Sequence, residues 1–276
     1  MKIGVILTTR GRPRQAAAVI ESARYMASGK HDVRFAVALD EDDLASVHFF
    51  KAYDARITLS IEPRPPGIPA CWNRCVPLLD CDAYLAVADD GFFATVDWDD
   101  IAAKHIATAF PRPELAAFAW TDTANPGQPT ILMASREWIA LTGSFMDDRF
   151  PFWFSDTAFG ETWSFVTGRF MSMVPNLIIL SRPGIYNPRA RDMDFWWDFF
   201  VWTRQERMDR AAEIRGQLGI NLNQPVLDRL AAQWGERDAF GRKNGALVKP
   251  DTRPPSPEYV RAKAEAEHLM GVRAAA

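Results

Sequence analysis

The stretch YLAVADDGFF, Tyr84 to Phe93, decides how the chain is read. Five uncharged residues run into the adjacent carboxylates of Asp89 and Asp90, then into a glycine and two phenylalanines. Asp-Gly between two apolar runs is a strong short-range signal for a β-hairpin turn. The same residues also fit the end of a buried strand, with its two acids gathered at the edge of a sheet. The flanking sequence has to choose.

Upstream, strand and helix patterns alternate. KIGVIL (2–7) is a compact apolar strand, and Pro13 stands where a first helical turn tolerates it, ahead of Ala16, Ile20, Ala23 and Ala27 on one helical face. VRFAVALD (33–40) is a second strand, 44–53 a helix, RITLSIEP (56–63) a third strand, PACWNRCVPLL (69–79) a helix and AYLAVADD (83–90) a fourth strand. Such alternation predicts an α/β fold with a mainly parallel sheet flanked by helices. Ligands of open α/β sheets bind beyond the carboxyl ends of the strands. TTRGRP after the first strand, the acids 40–43 after the second and Asp89-Asp90 after the fourth then share one edge. A hairpin turn has no reason to share it, so the strand end is preferred.

Beyond residue 100 the pattern loosens. Residues 101–110 look helical, LAAFAWTD (115–122) and PTILMAS (129–135) look like strands, and 155–166 form a helix that Ser155 would cap. NLIIL (176–180) is a late strand. Residues 194–217 read as one long helix whose rings, Phe195, Trp196, Trp197, Phe199, Phe200 and Trp202, would pack on the sheet. A Pro/Gly-punctuated connector begins at Gly241, and a short charged helix covers about 257–270. The expected organisation is a main domain over 1–240 with a C-terminal extension over 241–276, and there is no internal repeat.

Composition narrows the class. The chain has 276 residues, 48% hydrophobic and 24% charged, which is ordinary globular usage and excludes disordered and fibrous classes. A net charge of -3 gives no general attraction to polyphosphate or anionic lipid. The apolar run 3–7 is too short for a secretory signal, and nothing reaches the ~18 apolar residues of a membrane span. Three cysteines, Cys71, Cys75 and Cys81, are an odd number without a secretion signal, which points to free thiols in a reducing, cytoplasmic setting. The four histidines show no metal-ligand spacing with them.

The opening strand running into TTRGRP, Asp40 after the second strand, the helix carrying Asn73 and the strand AYLAVADD together resemble family 2 glycosyltransferases with the GT-A fold, over about residues 1–170. That resemblance implies a nucleotide-sugar-binding half (1–100) and an acceptor half (101–240). It implies that Thr8, Thr9, Arg10 and Arg12 contact the nucleotide diphosphate, that Asp40 sits near the base or ribose, and that Asn73 faces the nucleotide sugar. Asp90, with Asp89 beside it, stands at the position of the family's metal-binding Asp-x-Asp, which implies Mn2+ or Mg2+; oxygen ligands suit both. Two departures stand out. Ala88 occupies the first acidic position of that triplet, and Ser181-Arg182 stand where relatives often carry a metal-binding histidine.

Inverting enzymes of this fold use a carboxylate to deprotonate the acceptor hydroxyl. FPFWFSDTAFGETW (150–163) offers Asp156 and Glu161. Five residues apart on a helix, they diverge by roughly 140° and cannot both face one small site. Glu161 is the formal match to the family's Gly-Glu, and Asp156, after Trp153 and Phe154, is the better match by environment. Both can equally be helix-start carboxylates. Arg189, Arg191 and Asp192, after Pro188, are further candidates, the arginines for phosphate. The expected activity is transfer of a sugar from a UDP-linked donor to an acceptor hydroxyl of a glycan, a small molecule or a modified base in phage DNA. Two alternatives stand beside it. A sugar-phosphate nucleotidylyltransferase would want a glycine-richer first loop than TTRGRP, and a non-catalytic nucleotide- or glycan-binding protein is kept open by Ala88 and Ser181.

Overall fold

The computed structural model describes residues 1–109, 111–125, 127–181, 191–245 and 254–271. Its contacts divide the chain into two compact units, Met1–Met146 with Ser172–Tyr186, and Asp147–Met171 with Asn187–Ala276. The boundary therefore falls within the stretch that the sequence presents as one domain of 240 residues.

The first unit opens with β1 (Lys2–Thr9), α1 (Pro13–Met26), β2 (Asp32–Asp40), α2 (Leu44–Tyr53), β3 (Ile57–Glu62), α3 (Ile68–Cys75) and β4 (Ala83–Ala88). It continues with β5 (Gly91–Phe93), α4 (Trp98–Ala107), β6 (Ala117–Asp122), β7 (Ile131–Ser135), α5 (Arg136–Thr142) and β8 (Met173–Ser181). The eight strands form one sheet in the order β3-β2-β1-β4-β7-β6-β8-β5. β1 to β4 are parallel, and the long buried runs of β1, β2 and β4 are what a sheet covered on both faces requires, while β3 at the sheet's edge is buried only at Ile57 and Ser60. β7 runs antiparallel to β4 and β6, and β5 antiparallel to β8.

The question posed by YLAVADDGFF is answered by pairing. β5 follows β4 after only Asp89 and Asp90, yet its partner is β8, with Gly91 opposite Ser181 and Phe93 opposite Ile179. The two acids are thus a strand end and not a hairpin turn. Four strand spacings separate β4 from β5 in the sheet, about 19 Å if it were flat. The three chain steps from Ala88 to Gly91 reach at most about 11 Å. The sheet must therefore curl until its last strand returns beside the end of β4.

The three cysteines are free and buried. Burial pushes the thiol of Cys75 up to about 12 and that of Cys81 up to about 11, so they act as small apolar core groups.

The second unit is helical among its described residues: α6 (Ser155–Thr167), α7 (Met193–Trp202), α8 (Arg204–Leu218), α9 (Gln224–Gly245) and α10 (Pro257–Leu269). Two expectations are corrected here. The long helix over 194–217 is broken at Thr203, whose hydroxyl bonds back to the carbonyls of Phe199 and Phe200 at 2.9 and 3.1 Å. Its buried rings also have their partners within the second unit. Trp196, Phe199 and Phe200 join Phe150, Phe154 and Tyr259 in a core of the second unit's own. Ser155 is the first residue of α6 and not its cap; that place is taken by Phe154 with left-handed backbone. Among the described residues no helix is long and apolar enough to cross a membrane.

The curl leaves no room at Gly91, where an added Cβ would lie 2.6 Å from Cγ2 of Ile179 on β8. Gly91→Ala should cost about 1–3 kcal/mol, as overpacking does. Urea unfolding is the check, and an unchanged midpoint would show that β5 does not press on β8 as described.

Candidate functional site

Register brings four strand ends to one edge of the first unit. Thr9 lies opposite Leu39, Thr8 opposite Ala88 and Asp40 opposite Glu62. The loop 10–12, the acids 40–43 and the Asp89-Asp90 pair all leave the sheet there.

Asp89 is 3% exposed. One carboxylate oxygen accepts the hydroxyl of Thr9 at 2.6 Å and the other meets the guanidinium of Arg12 at 2.5 Å. Burial raises its pKa, against the Thr9 hydrogen bond and the Arg12 charge. Asp90 is half-buried, and among the described residues it forms no hydrogen bond or ion pair. The adjacent acids therefore have different chemistry: Asp89 is fully engaged, while Asp90 offers an unpaired carboxylate.

The acidic run divides its work as well. Arg10 binds Asp40 at 2.9 Å and grips Asp42 with both terminal nitrogens at 2.5 and 2.8 Å. Asp43 caps α2 through Ser46 N–H at 3.3 Å and accepts Gly11 N–H at 2.7 Å, tying the first loop to the second. Capping thus falls to Asp43 and leaves Asp40 to the cluster. Arg74, which the sequence does not single out, completes it. Its guanidinium donates to the carbonyls of Leu39 at 2.9 Å and Pro63 at 3.1 Å and lies 3.7 Å from Asp40, and its buried Nε has no partner among the described residues. The available signal was its place one residue after Asn73 on a helix following a strand. Asn73 itself donates to the carbonyl of Met146 at 2.8 Å and accepts its N–H at 2.9 Å, pinning the end of the first unit. Thr8, next to last in β1, lies opposite Ala88.

At the end of β4 a divalent cation would find the unpaired carboxylate of Asp90, and among the described residues no group of three acids, cysteines or histidines could hold one. Ser181 donates its hydroxyl to Asp122 at 2.6 Å. Asp122 also accepts Ala124 N–H, Asn125 and Thr130, so both side chains serve the loop after β6.

In the second unit, Asp156 sits in the first turn of α6, half-buried. One oxygen accepts the backbone N–H of Thr157 at 2.7 Å and its hydroxyl at 3.2 Å, and the other has no partner among the described residues. Burial raises its pKa, with the Thr157 bonds opposing. Glu161 is 0% exposed, and its two oxygens are held at 2.5 Å by Nε of Arg204 and Nε of Arg207. Arg204 also binds Asp238 at 2.5 Å. Arg191 lies 5.6 Å over the ring of Tyr259, whose hydroxyl is 2.9 Å from Asp192. Arg189 and Arg182 lie outside the described residues.

No protein-family model and no curated protein matches the sequence. Among solved structures, the chain is similar to the mannosyltransferase PcManGT from Pyrobaculum calidifontis in complex with GDP-Man and Mn2+. The TM-score is 0.54 at 12% identity, over 98% of this chain and 88% of that one. It is also similar to residues 1–349 of S. aureus TarS in complex with UDP-GlcNAc, with TM-score 0.58 at 14% identity over 99% and 84% of the two chains. The same TarS segment with UDP gives 0.58 at 15% identity, over 99% and 83%. The likeness bears out the expected GT-A-like α/β fold.

The Thr9–Asp89 bond has a measurable consequence. Asp89 titrates above the usual carboxylate value in the folded state, so its contribution to stability is full below the unfolded pKa and is lost as pH rises through the folded one. Thr9→Val removes a bond to the ionised form and raises that pKa further. The variant should lose about 1–3 kcal/mol at pH 7, and the deficit should shrink as Asp89 becomes protonated. Urea unfolding at pH 7 and pH 4 tests this; an equal deficit at both would mean that the bond does not serve the charged carboxylate.

Proposed function

We propose that the protein is a glycosyltransferase that moves a sugar from a nucleotide diphosphate donor, a UDP-sugar, to an acceptor hydroxyl with inversion. The observation that carries this is the strand-end cluster of Thr9, Arg10, Arg12, Asp40, Asp89 and Asp90 on a GT-A-like sheet. Breaking a sugar–phosphate bond builds negative charge on the departing diphosphate, and guanidiniums at a sheet edge can stabilise it. Arg10 and Arg12 lie in the loop that faces that edge.

Asp40 supports the choice of uracil. Its carboxylate lies between the guanidiniums of Arg10 and Arg74, an acceptor flanked by donors. Uracil presents O2, N3–H and O4, a donor flanked by acceptors. Guanine presents O6, N1–H and an amino group, which would set a donor against one arginine.

A divalent ion fits this cluster in a limited way. Mn2+ or Mg2+ would take the carboxylate of Asp90 and complete its shell with phosphate oxygens and water, as ions at phosphate sites commonly do. It would supply further charge neutralisation on the diphosphate. Asp89 would act beside it by holding Arg12.

For the base, Asp156 is favoured over Glu161. Accepting a proton from the acceptor hydroxyl requires an oxygen not already committed, and Asp156 has one while Glu161 has both engaged by arginines. Raised by burial, the Asp156 pKa also suits a proton acceptor better than an ordinary carboxylate. With a net charge of -3, a glycan or small-molecule hydroxyl is favoured as acceptor over nucleic acid.

Calorimetric titration of UDP and GDP, with and without Mn2+, tests the donor site. UDP should bind at least about tenfold more tightly than GDP, which corresponds to about 1.4 kcal/mol. The Mn2+ enhancement should vanish in Asp90→Asn. Silence with both nucleotides would return the non-catalytic alternative to the front. In a transfer assay, Asp156→Asn should lower kcat by roughly 10²–10⁴ with UDP binding unchanged. In the wild type, activity should fall as pH drops through an acid limb above the usual aspartate range, because the base is lost on protonation.

A further inference from the structure

We propose that Phe154 is a positioning residue for the carboxylate of Asp156, held in a left-handed backbone conformation by the stacking of its ring. This rests on the assignment of Asp156 as the base.

Among the described residues three that are not glycine have positive φ: Asp97 at 57°, Asp192 at 50° and Phe154 at 72°. Aspartate visits this region readily because its short polar side chain bonds locally. A bulky aromatic residue does so only at a cost. A helix start does not demand it. N-cap residues usually have extended backbone, as Ser135 before α5 and Ser256 before α10 do. Phe154 makes no side-chain cap bond. Strain of this kind persists where the surroundings over-determine it, and it gathers at functional sites.

The surroundings are specific. The Phe154 ring is 7% exposed and stacks on Phe200 with centroids 5.3 Å apart and planes at 21°, while Trp197 meets it edge-on at 4.9 Å. Phe200 is in turn covered by the guanidinium of Arg207 at 4.2 Å, which Glu161 holds. One continuous set of contacts therefore runs from the buried Glu161 through Arg207 and Phe200 to Phe154. The carbonyl of Phe154 accepts Ala158 N–H at 2.7 Å, so the bend and the first turn of α6 are one feature. Asp156 stands two residues into that turn. Rotating Phe154 into an ordinary backbone well would re-aim the turn, and with it the uncommitted oxygen of Asp156.

Phe154→Leu removes the stack and Phe154→Tyr keeps it. Donor kinetics of each, with folding checked by circular dichroism, should show kcat at least about tenfold lower for Phe154→Leu, and within twofold of wild type for Phe154→Tyr. KM for the UDP-sugar should stay within twofold in both. Phe200→Leu, which removes the stack from the other side, should reproduce the loss of kcat even if Phe154→Leu does not fold. A folded Phe154→Leu or Phe200→Leu with kcat within twofold of wild type overturns the proposal while leaving the base in place. Asp156→Asn with wild-type turnover overturns both.

Discussion

Burial of the Asp89 carboxylate is the constraint on which the first unit's edge depends. A carboxylate removed from water needs partners for both oxygens, and here they come from the end of β1 and the loop that follows it. That requirement ties β4 to β1 beyond their ladder and sets where Arg12 stands. The next residue, Asp90, has no hydrogen bond or ion pair among the described residues. Two identical side chains, adjacent in sequence just past the end of β4, end with opposite properties: Asp89 is buried with a partner for each oxygen, and Asp90 is half-buried with none among the described residues.

The same short segment governs the sheet. A strand two residues beyond Asp89 can pair with β8 only if the sheet curls, and only glycine at 91 lets β5 lie against Ile179. Ser181, opposite Gly91, is consequently drawn into the carboxylate of Asp122, where it anchors a loop. The end of β8 is thus occupied by an internal hydrogen bond. At the edge itself Arg10, Arg12 and Arg74 answer the acids that gather there, and Asp40, Asp42 and Asp89 are each met by a guanidinium.

Much of the first unit was legible because its signals are local. β1 to β4 show as short apolar runs, α2 falls on 44–53 as read, and the common edge follows from alternation alone. The placement of β5 was not legible, since it depends on pairing with a strand some ninety residues later. Arg74 escaped notice because a helical arginine becomes informative only once its neighbours across the sheet edge are known. In the second unit the aromatic run 195–202 resembled any sheet-packing helix. What it packs against, the rings of the segment 150–154 before α6 and Tyr259 of α10, is a tertiary fact. The break at Thr203 was within reach, since a threonine that can bond back to the preceding turn is a local feature.

The two acids of α6 show how environment overrides motif. Glu161 is the acid that matching by motif selects, but five residues of helix turn it inward, onto a pair of arginines three apart on α8. A charge buried to that depth is tolerable only with both oxygens paired, and once they are paired it has no oxygen left to take up a proton. Asp156, on a different face, keeps one oxygen uncommitted, and partial burial raises its basicity. The arginines that silence Glu161 also cover Phe200, the ring on which Phe154 rests. The acid unsuited to chemistry is thus part of the packing that fixes the backbone of the acid that suits it. Counting carboxylates in the sequence cannot separate these roles; counting their uncommitted oxygens can.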